Sequence, residues 1–330
     1  MTDIDWKGLK VLVTGAGGFI GSHLAERLVV LGADVRALVR YTSTGQWGWL
    51  DQSAVKADIE VVLGDVREFF SVREAMHGRK VVFHLAALIG IPYSYRSPLS
   101  YLRTNTEGTL NVLQAARELE TERVICTSTS EVYGSAQYVP IDENHPLQGQ
   151  SPYSATKIAA DKLAESYFRS FGTPITVVRP FNTYGPRQSA RAVIPTIITQ
   201  ALAGAEVRLG SLTPTRDFSF VADTVEGFVA AAAILEAVGE VINLGSGVEI
   251  SVQKLASEVG GILGKKLELV AEHQRIRPEN SEVERLCADT TKAGELIGWA
   301  PSVSLEDGLR QTIKWMEQNL RAYRVDSYAV

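Results

Sequence analysis

Two residues four apart in the sequence, Tyr153 and Lys157, have side chains that can move a proton. On a helix this spacing places both side chains on one face, one turn apart. An ammonium group there favours the phenolate and brings a pKa that is ordinarily about 10 nearer to neutral. A phenolate that takes the proton of a sugar hydroxyl lets the carbon beneath give a hydride to a nicotinamide. The pair therefore predicts alcohol oxidation with a nicotinamide cofactor.

A carboxylate precedes this pair, in the segment Thr129-Ser130-Glu131. Simple alcohol oxidation has no use for Glu131, because Tyr153 already serves as the base. A second base suggests a second carbon acid in the substrate. The segment therefore predicts a reaction that goes beyond oxidation.

The chain has 330 residues, of which 45% are hydrophobic, and its formal charge is -5. This length suits one large α/β domain or a domain with a smaller lobe. Charges of both signs are spread along the chain, so neither nucleic acid nor an anionic membrane is an expected partner. Two cysteines cannot build a disulfide framework, and the polar N-terminus lacks the plan of a signal peptide. We expect a soluble, cytoplasmic protein without a metal site.

Short apolar runs alternate with helical patterns from the N-terminus onward. Such runs are typical of strands that are buried on both faces, so the alternation predicts an α/β fold. Its sheet should be parallel and doubly wound, of the Rossmann type, with right-handed crossovers. The predicted strands are 10–14, 35–38, 59–63, 81–85, 124–127 and 175–178, and the predicted helices include 22–31, 108–119, 153–171 and 191–202.

The alternation ends after Pro180, where turn-forming residues become frequent. Residues 1–180 are therefore expected to form the cofactor-binding domain, and a segment near 220–247 returns to it. Residues 181–330 should form a smaller, mostly helical lobe that binds the substrate. Because no Gly/Ser linker separates the two parts, we expect them to share a cleft.

The first predicted strand leads into a glycine cluster and then into a helix. Gly15, Gly18 and Gly21 have the spacing Gly-x-x-Gly-x-x-Gly, with Phe19 and Ile20 between the last two. Glycines at these positions permit a tight turn and let a pyrophosphate approach the backbone at the helix N-terminus. A glycine-rich turn without a ligand is the alternative, but the strand–turn–helix context favours a dinucleotide.

Other residues near strand ends could touch the cofactor. Asp65, which precedes Val66, could accept the adenine amino group or instead cap the next helix. The small residues after His84 would let a cofactor lie close to the backbone, whereas His84 itself is expected to be a packed strand residue. These small-residue contacts are Leu85, Ala86 and Ala87.

The end of the second strand leaves the form of the cofactor open. Folds that select NAD usually carry an acidic residue there, which binds the ribose 2′-hydroxyl. This chain has Arg40 followed by hydroxyl side chains. Arg40 could bind the 2′-phosphate of NADP, stack on adenine, or be an ordinary surface residue.

Polar residues elsewhere could hold a substrate. Guanidinium groups bind phosphate in a bidentate manner, so several arginines facing a cleft would suit a nucleotide-sugar diphosphate, although each could also be a surface charge. Asn105, on a predicted helix, could order water or backbone near the site, or be a solvated helix residue. The arginines are Arg187, Arg191, Arg216 and Arg277.

As a set, these features resemble the extended short-chain dehydrogenase/reductase family, in its nucleotide-sugar epimerase/dehydratase branch. The resemblance covers nearly the whole chain, from Val11 to about Trp315. It is carried by the glycine motif, His84-Leu85-Ala86-Ala87, the Tyr153/Lys157 pair, Arg179-Pro180-Phe181-Asn182-Thr183-Tyr184-Gly185-Pro186-Arg187, and Asn243-Leu244-Gly245. It implies tightly bound NAD or NADP, a nucleotide-diphosphate sugar as substrate, and a homodimer that pairs through helices 108–119 and 153–171. We also assign Thr127 and Pro180 to the cofactor, and Asn105, Asn182, Val193 and the arginines 187, 216 and 277 to the substrate.

Within this branch, the Ser130-Glu131 pair is similar to dehydratases and decarboxylases, since epimerases usually have small residues there. Longer stretches resemble the configuration-retaining UDP-N-acetylglucosamine 4,6-dehydratases of legionaminic acid biosynthesis. These stretches are Gly45–Asp51, Ile91–Tyr95, Gln188–Pro195 and Leu209–Phe218. The resemblance implies a 4,6-dehydratase that acts on UDP-N-acetylglucosamine.

The implied reaction uses both bases. Tyr153 takes the C4 hydroxyl proton, Lys157 supports the phenolate, and Thr129 hydrogen-bonds the C4 oxygen. Glu131 then removes the C5 proton as water leaves C6. Ser130 stands where many dehydratases have an aspartate, so the acid that protonates the departing oxygen is left unassigned. A 4-epimerase and a UDP-glucuronate decarboxylase are the alternatives, with a non-catalytic dinucleotide-sensing protein as a remote one.

Overall fold

A computed structural model describes residues 4–275 and 278–323 of the chain. Its main sheet has seven parallel strands in the order β10-β6-β5-β4-β1-β2-β3. These strands are β1 (Lys10–Thr14), β2 (Asp34–Arg40), β3 (Ile59–Gly64), β4 (Val81–His84), β5 (Arg123–Thr127), β6 (Ile175–Pro180) and β10 (Val241–Leu244). Each predicted strand occurs within two residues of its expected ends, which confirms the Rossmann-type fold.

Helices cover both faces of this sheet, so the sheet is doubly wound. Helices α1 (Phe19–Val30) and α8 (Val221–Ala233) pack together on one face. The opposite face carries α2 (Phe69–Met76), α5 (Gly108–Glu118) and α6 (Pro152–Phe171). Between β4 and α5 lie α3 (Ile91–Arg96), α4 (Pro98–Tyr101) and a π-helical segment, Leu102–Glu107. The strands β4 and β6 are buried along their whole length, as their apolar runs predict, whereas the edge strand β3 is partly exposed.

The strand order reverses direction between β1 and β4. Connections on either side of such a point lead away from each other, which opens a crevice at the carboxyl ends of the two strands. The glycine cluster follows β1, and the small residues at 85–87 follow β4. The topology therefore brings these two sequence motifs together at the usual cofactor position of this fold.

The remaining elements form the outer lobe and one edge of the main sheet. β10 pairs with β6, so the chain returns to the sheet near residue 241, while the division into 1–180 and 181–330 stays a prediction. The lobe is less helical than expected, because its short strands pair into two small sheets. Its strands are β7 (Asn182–Tyr184), β8 (Glu206–Leu209), β9 (Thr215–Phe220), β11 (Glu249–Ser251), β12 (Glu268–Ala271) and β13 (Arg285–Leu286), and its helices are α7 (Val193–Ala203), α9 (Val252–Leu263), α10 (Thr291–Ile297) and α11 (Leu305–Asn319).

A buried carboxylate joins the small sheet that contains β9 to the end of β10. Asp217, on β9, accepts hydrogen bonds from the backbone N–H groups of Ser246 at 2.6 Å, Gly247 at 2.9 Å and Ala288 at 3.0 Å. The Ser246 hydroxyl donates a further bond to it. Burial raises the pKa of Asp217, while these hydrogen bonds act in the opposite direction. The carboxylate thus fixes the turn after β10 against the strand that carries Arg216.

The substitution Asp217→Asn should lower the free energy of unfolding by about 1–3 kcal/mol. The backbone N–H groups of Ser246, Gly247 and Ala288 donate to the two carboxylate oxygens, and Asn replaces one of these acceptors with an N–H₂ donor. Urea unfolding at an unchanged m-value measures this loss. Asp58→Asn, at an exposed position before β3, is the control and should change stability by less than about 0.5 kcal/mol. Equal stability of the two variants would contradict the anchoring role.

Candidate active site

Tyr153 and Lys157 lie in the first two turns of α6, and both side chains are buried. The helix starts where it does because Pro152 begins it and Ser151 caps it. The Ser151 hydroxyl accepts from the backbone N–H of Ser154 at 3.1 Å, and the Ser154 hydroxyl accepts from that of Ser151 at 3.0 Å. This capping box fixes the first turn and with it the tyrosine.

The Lys157 ammonium donates to the backbone carbonyl of Thr127, at the end of β5, over 2.5 Å. Burial lowers the pKa of Lys157, and the charge of Asp161 opposes this effect. Burial raises the pKa of Tyr153, a hydrogen bond with Thr129 lowers it, and the charge of Glu131 raises it further. The expectation that Lys157 brings the tyrosine pKa towards neutral is therefore not met in this arrangement, since the ammonium contacts a carbonyl instead.

Thr129, Ser130 and Glu131 lie at the start of a short 3-10 turn, Ser130–Tyr133, which follows β5. The Thr129 hydroxyl accepts from the backbone N–H of Glu131 at 3.2 Å and also bonds the Tyr153 side chain. Ser130 is buried, whereas Glu131 is half-buried, and its charge acts on Tyr153. The structure therefore brings a hydroxyl, a phenol and a carboxylate together, as the sequence predicted.

A buried ion pair supports this turn from below. Arg179, near the end of β6, donates two bonds to Asp161, at 3.0 and 3.1 Å, and a third to the Tyr133 hydroxyl at 3.0 Å. The Tyr133 hydroxyl donates in turn to Asn243 at 2.7 Å, and Ser128 donates to Asp161 at 2.8 Å. Sequence reasoning missed Asp161 and Tyr133, although Arg179 stood in a quoted motif. A carboxylate four residues after Lys157 was the available signal, because it shares the face of the lysine.

The glycine turn has the shape of a dinucleotide cradle. A Cβ on Gly15, whose φ is +70°, would lie 2.7 Å from the backbone N of Ala86, and one on Gly21 would lie 2.3 Å from the Gly15 carbonyl oxygen. Gly18 is exposed and caps α1, whose first turn, with Phe19 and Ile20, has backbone N–H groups that no helical carbonyl reaches. Such a helix start suits a pyrophosphate.

Two further observations fit a nicotinamide cofactor beside this turn. The Thr127 hydroxyl, at the end of β5, is buried without a hydrogen-bond partner among the described residues. It stands next to the carbonyl that Lys157 contacts, where a polar group of a ligand could satisfy it. Leu85, Ala86 and Ala87 are half-buried along the crevice, and Pro180 closes β6.

His84 is a buried, hydrogen-bonded strand residue, as expected, and it links β1 to α5. The Thr109 hydroxyl donates to the Asn105 carbonyl at 2.6 Å, so it accepts from Nε2–H of His84 at 3.0 Å. Nδ1 then accepts from the Thr14 hydroxyl at 2.9 Å. Burial lowers the pKa of His84 to about 3, so the ring stays neutral. Thr14 also accepts from the backbone of Leu85 and Ala86, which ties β1 to the segment after β4.

At the adenine end, Asp65 lies in the turn before α2 but does not cap that helix, whose N-cap is Glu68, and its contact with adenine stays a prediction. Asp65 accepts from the backbone N–H of Arg67 at 3.0 Å and forms an ion pair with the Arg67 guanidinium at 2.5 Å. The Arg67 side chain lowers the pKa of Asp65, and Arg40 contributes in the same direction. The carboxylate of Asp65 therefore stabilises the turn before α2. Val66, the next residue, is buried, and Arg40 is exposed at the end of β2.

Asn105 is not placed to touch a substrate, which corrects that assignment. It is buried in the π-helical segment, where its amide bonds both the N–H and the carbonyl of Leu88, at 2.8 and 2.9 Å. The same amide donates to Thr156, between the catalytic pair, at 3.1 Å. Asn105 thus orders backbone near the site, the other role that the sequence suggested.

Arg187 is also misassigned as a substrate residue. Its guanidinium forms two hydrogen bonds with Glu26 of α1, at 2.9 and 3.0 Å, and donates to Ser22 at 3.1 Å. Its backbone has a φ of +71°, unusual for a residue with a side chain. Arg187 therefore fastens the outer lobe to the cofactor helix. Sequence reasoning could not assign it, because Glu26 lies far away along the chain.

The other predicted substrate residues lie around the outer lobe. Asn182 is half-buried on β7 and donates to the Asp217 carbonyl at 3.3 Å, and Val193 begins α7. Arg216 is almost buried on β9 and pairs with Glu282 at 2.9 Å. Arg277 lies outside the described residues. Among the described residues, no group of three His, Cys, Asp or Glu side chains could hold a metal ion.

The fold and this site define an enzyme of the extended short-chain dehydrogenase/reductase type. More specifically, the chain belongs to the GDP-mannose 4,6-dehydratase family, whose sequence profile matches residues 12–312. The chain is therefore an NAD-dependent enzyme that modifies nucleotide sugars. In the described part of the chain, no helix has the length and apolarity to cross a membrane.

The relatives catalyse different reactions. The chain is 34% identical to a UDP-N-acetyl-α-D-glucosaminuronate decarboxylase of Bacillus cytotoxicus, over 94% of this chain and 98% of that protein. It is 31% identical to a UDP-glucose 4-epimerase of Mycolicibacterium smegmatis, over 93% and 98% of the two chains. The structure is similar to that of a dTDP-glucose 4,6-dehydratase from Streptomyces venezuelae, solved with NAD bound, with a TM-score of 0.87, 30% identity, and coverage of 96% and 99%.

The substitution Tyr153→Phe should abolish turnover and leave the cofactor bound, because only the proton-accepting hydroxyl is lost. General base catalysis is typically worth 10²–10⁴-fold, so the rate should fall by at least about 100-fold. Rate assays and the nucleotide content of the denatured protein measure the two effects. Tyr138→Phe, at a half-exposed tyrosine outside the site, should keep the wild-type rate. A Tyr153→Phe rate above about a tenth of wild type would rule out the base assignment.

Proposed function

We propose that this enzyme is a nucleotide-sugar 4,6-dehydratase that converts UDP-N-acetylglucosamine to a UDP-4-keto-6-deoxy sugar. The observation that carries the proposal is the Glu131 carboxylate, whose charge is close enough to Tyr153 to raise its pKa. The Thr129 hydroxyl lies between them, since it bonds the Tyr153 side chain and accepts from the backbone N–H of Glu131. Two bases around one hydroxyl suit a substrate that loses protons from two neighbouring positions. An epimerase would use only the tyrosine.

The proposed cofactor is NAD, held by the glycine turn, the start of α1, Thr127 and Lys157. When bound, it accepts a hydride from C4 of the sugar and returns a hydride to C6, so it leaves each turnover unchanged. The NAD complex of the similar dTDP-glucose 4,6-dehydratase supports this choice over NADP. The exposed Arg40 would then lie beside the adenosine without a phosphate to bind.

Tyr153 performs the first proton transfer. Its hydroxyl, once ionised, takes the proton of the C4 hydroxyl, while Thr129 donates a hydrogen bond to the C4 oxygen. Burial raises the pKa of Tyr153, which makes the phenolate a strong base once it forms. Lys157 is one turn away, and its ammonium charge can offset the cost of that ionisation when it turns from the Thr127 carbonyl.

Glu131 performs the elimination. A keto group at C4 makes the C5 proton acidic, and the carboxylate takes it. The C6–oxygen bond breaks, and the departing oxygen leaves as water when it receives a proton. Glu131 can supply that proton, because it has just gained one and the two carbons are neighbours. Ser130 is buried behind the turn, so we assign it to support of the turn and not to acid catalysis.

The diphosphate of the substrate is assigned to the outer lobe. Arg216 is the proposed phosphate ligand, because its guanidinium is almost buried on β9 of the outer lobe and a guanidinium binds phosphate in a bidentate manner. Asn182 and Val193 border the same region in the proposal. Arg277 is proposed on its sequence context alone.

We also propose that the protein is a homodimer that pairs through α5 and α6, which pack against each other. Their outer surface and the preceding segment expose leucines that a monomer would leave in water. Leu99 is 56% exposed, Leu102 49% and Leu110 38%. A second copy of the same surface would bury them symmetrically.

Light scattering on the purified enzyme should give about twice the chain mass of 35.9 kDa. The substitution Leu102→Glu should give a monomer, because two carboxylates would then meet in an apolar interface. Leu235→Glu is the control, since Leu235 is at least as exposed as Leu102 but lies after α8, outside the proposed interface, and this variant should stay dimeric. A monomeric wild type, or a dimeric Leu102→Glu variant, would contradict this interface.

The substitution Glu131→Gln should stop the elimination and spare C4 oxidation. The amide keeps the shape of the side chain but cannot take the C5 proton, so product formation should fall by at least about 100-fold. Because the first step needs only Tyr153 and the cofactor, bound NADH should accumulate when UDP-N-acetylglucosamine is added. The readout is the absorbance of the bound NADH, at a wavelength close to that at which free NADH absorbs.

The control for this experiment is Glu236→Gln, which makes the same change in another 3-10 turn, at an exposed glutamate far from the site in the sequence. It should turn over normally without accumulated NADH. Normal turnover by Glu131→Gln would refute the dehydratase proposal. A 4-epimer as the product would then indicate an epimerase, and release of carbon dioxide from UDP-glucuronate would indicate a decarboxylase.

A further inference from the structure

Two hydroxyl groups meet across the cleft between the cofactor domain and the outer lobe. The Tyr95 hydroxyl, on α3, is hydrogen-bonded to the Ser281 hydroxyl, in the segment 278–284 of the lobe. We propose that this contact is a latch that closes over the sugar of the bound substrate and slows its escape. The proposal rests on the proposed function, because it assigns the sugar to this part of the cleft.

On the α3 side, the latch is connected to Tyr153 through Tyr101. The Tyr101 ring packs edge-on against the Tyr153 ring, with centroids 6.3 Å apart, and its hydroxyl donates to the Gly90 carbonyl, just before α3, at 2.5 Å. The Tyr93 ring lies 6.1 Å from that of Tyr101. A movement of α3 would therefore change the wall of the site next to Tyr153.

The lobe side of the latch is built against the proposed phosphate ligand. Ser281 is buried, and the next residue, Glu282, pairs with Arg216 at 2.9 Å. The preceding residue, Asn280, accepts through its carbonyl from the Gln150 side chain at 3.3 Å. The segment thus bonds β9, the residues before α6, and α3. It spans the cleft from the phosphate position to the catalytic helix.

A cavity of about 490 Å³ lies along this segment. Its walls carry four neutral hydrogen-bonding side chains and three charged ones, Glu282, Glu284 and Arg285, so the lining suits the polar groups of a sugar better than an apolar ligand. The lining includes Ser135, Gln148, Gln150, Asn280 and Glu282. Because Asn280 and Glu282 flank Ser281, the latch and one wall of the cavity move together.

A single hydroxyl–hydroxyl bond has the right strength for a latch. A neutral hydrogen bond contributes a factor of about 2–10 to an equilibrium, so the contact can open for substrate entry and still favour the closed form. Retention matters for the proposed reaction, because the keto sugar that forms after the first step must stay until C6 is reduced. The latch should therefore affect dissociation of the sugar nucleotide more than the proton transfers.

The test uses Tyr95→Phe, Ser281→Ala and the double variant in the full-length enzyme. Stopped-flow measurements should show UDP-N-acetylglucosamine leaving each single variant about 2–10 times faster than wild type, with UDP unchanged. The double variant should match the single ones, since either change already breaks the same bond. Tyr93→Phe is the matched control, because Tyr93 lies on the same helix with the same 37% exposure, and it should behave as wild type. Additive effects, or equal acceleration of UDP, would overturn the latch.

A second measurement reads the latch without any sugar. Hydrogen–deuterium exchange should rise in both α3 and the segment 278–284 when either hydroxyl is removed, because each segment loses its partner. A rise confined to the substituted segment would overturn the latch, whatever the substrate. Product analysis of the wild-type enzyme reports the proposed function separately, so its failure would not be confused with failure of the latch.

Discussion

The buried ion pair between Arg179 and Asp161 holds the catalytic groups in place. Two opposite charges are costly to bury unless additional hydrogen bonds satisfy them, and here Tyr133 and Ser128 supply those bonds. The pair joins the end of β6 to α6, and through Tyr133 it reaches the 3-10 turn that carries Glu131. Removal of either charge would leave the other one buried and unpaired. The orientation of two bases therefore depends on an interaction that touches no substrate.

This arrangement explains how separate pieces of chain behave as one site. Lys157 is anchored on the Thr127 carbonyl and feels the charge of Asp161, while Thr129 bonds Tyr153 and receives the N–H of Glu131. On the other side of the crevice, the neutral ring of His84 connects two threonine hydroxyls and fixes β4 against β1. In the outer lobe, Asp217 binds the turn after β10, and Arg187 binds Glu26 of α1. Most buried polar groups around the cleft are structural, and few remain for chemistry.

The sequence was most informative where a feature depends on local order. Unbroken apolar runs predicted the strands of the main sheet, the glycine spacing predicted the turn before α1, and the four-residue spacing predicted that Tyr153 and Lys157 share a face. It was least informative where a side chain has two possible partners. Arg187 was assigned to phosphate and bonds Glu26, and Asn105 was assigned to substrate and bonds Leu88. Pairing across long stretches of chain is decided by tertiary packing, which periodicity does not describe. Tyr133 was overlooked for the same reason, whereas Asp161, four residues after Lys157 on α6, could have been noticed from its local spacing.

We propose that Glu131 is the C5 base of a dehydratase, and the fate of the hydrogen at C5 is the most direct test of this role. Wild-type enzyme should be incubated with UDP-N-acetylglucosamine in deuterium oxide, and the product examined by NMR. We expect a 4-keto-6-deoxy sugar with deuterium at C5, because Glu131 removes the C5 hydrogen as a proton and a deuteron from the solvent replaces it. A product that keeps its C6 hydroxyl and its C5 hydrogen, such as a 4-epimer, would contradict the account.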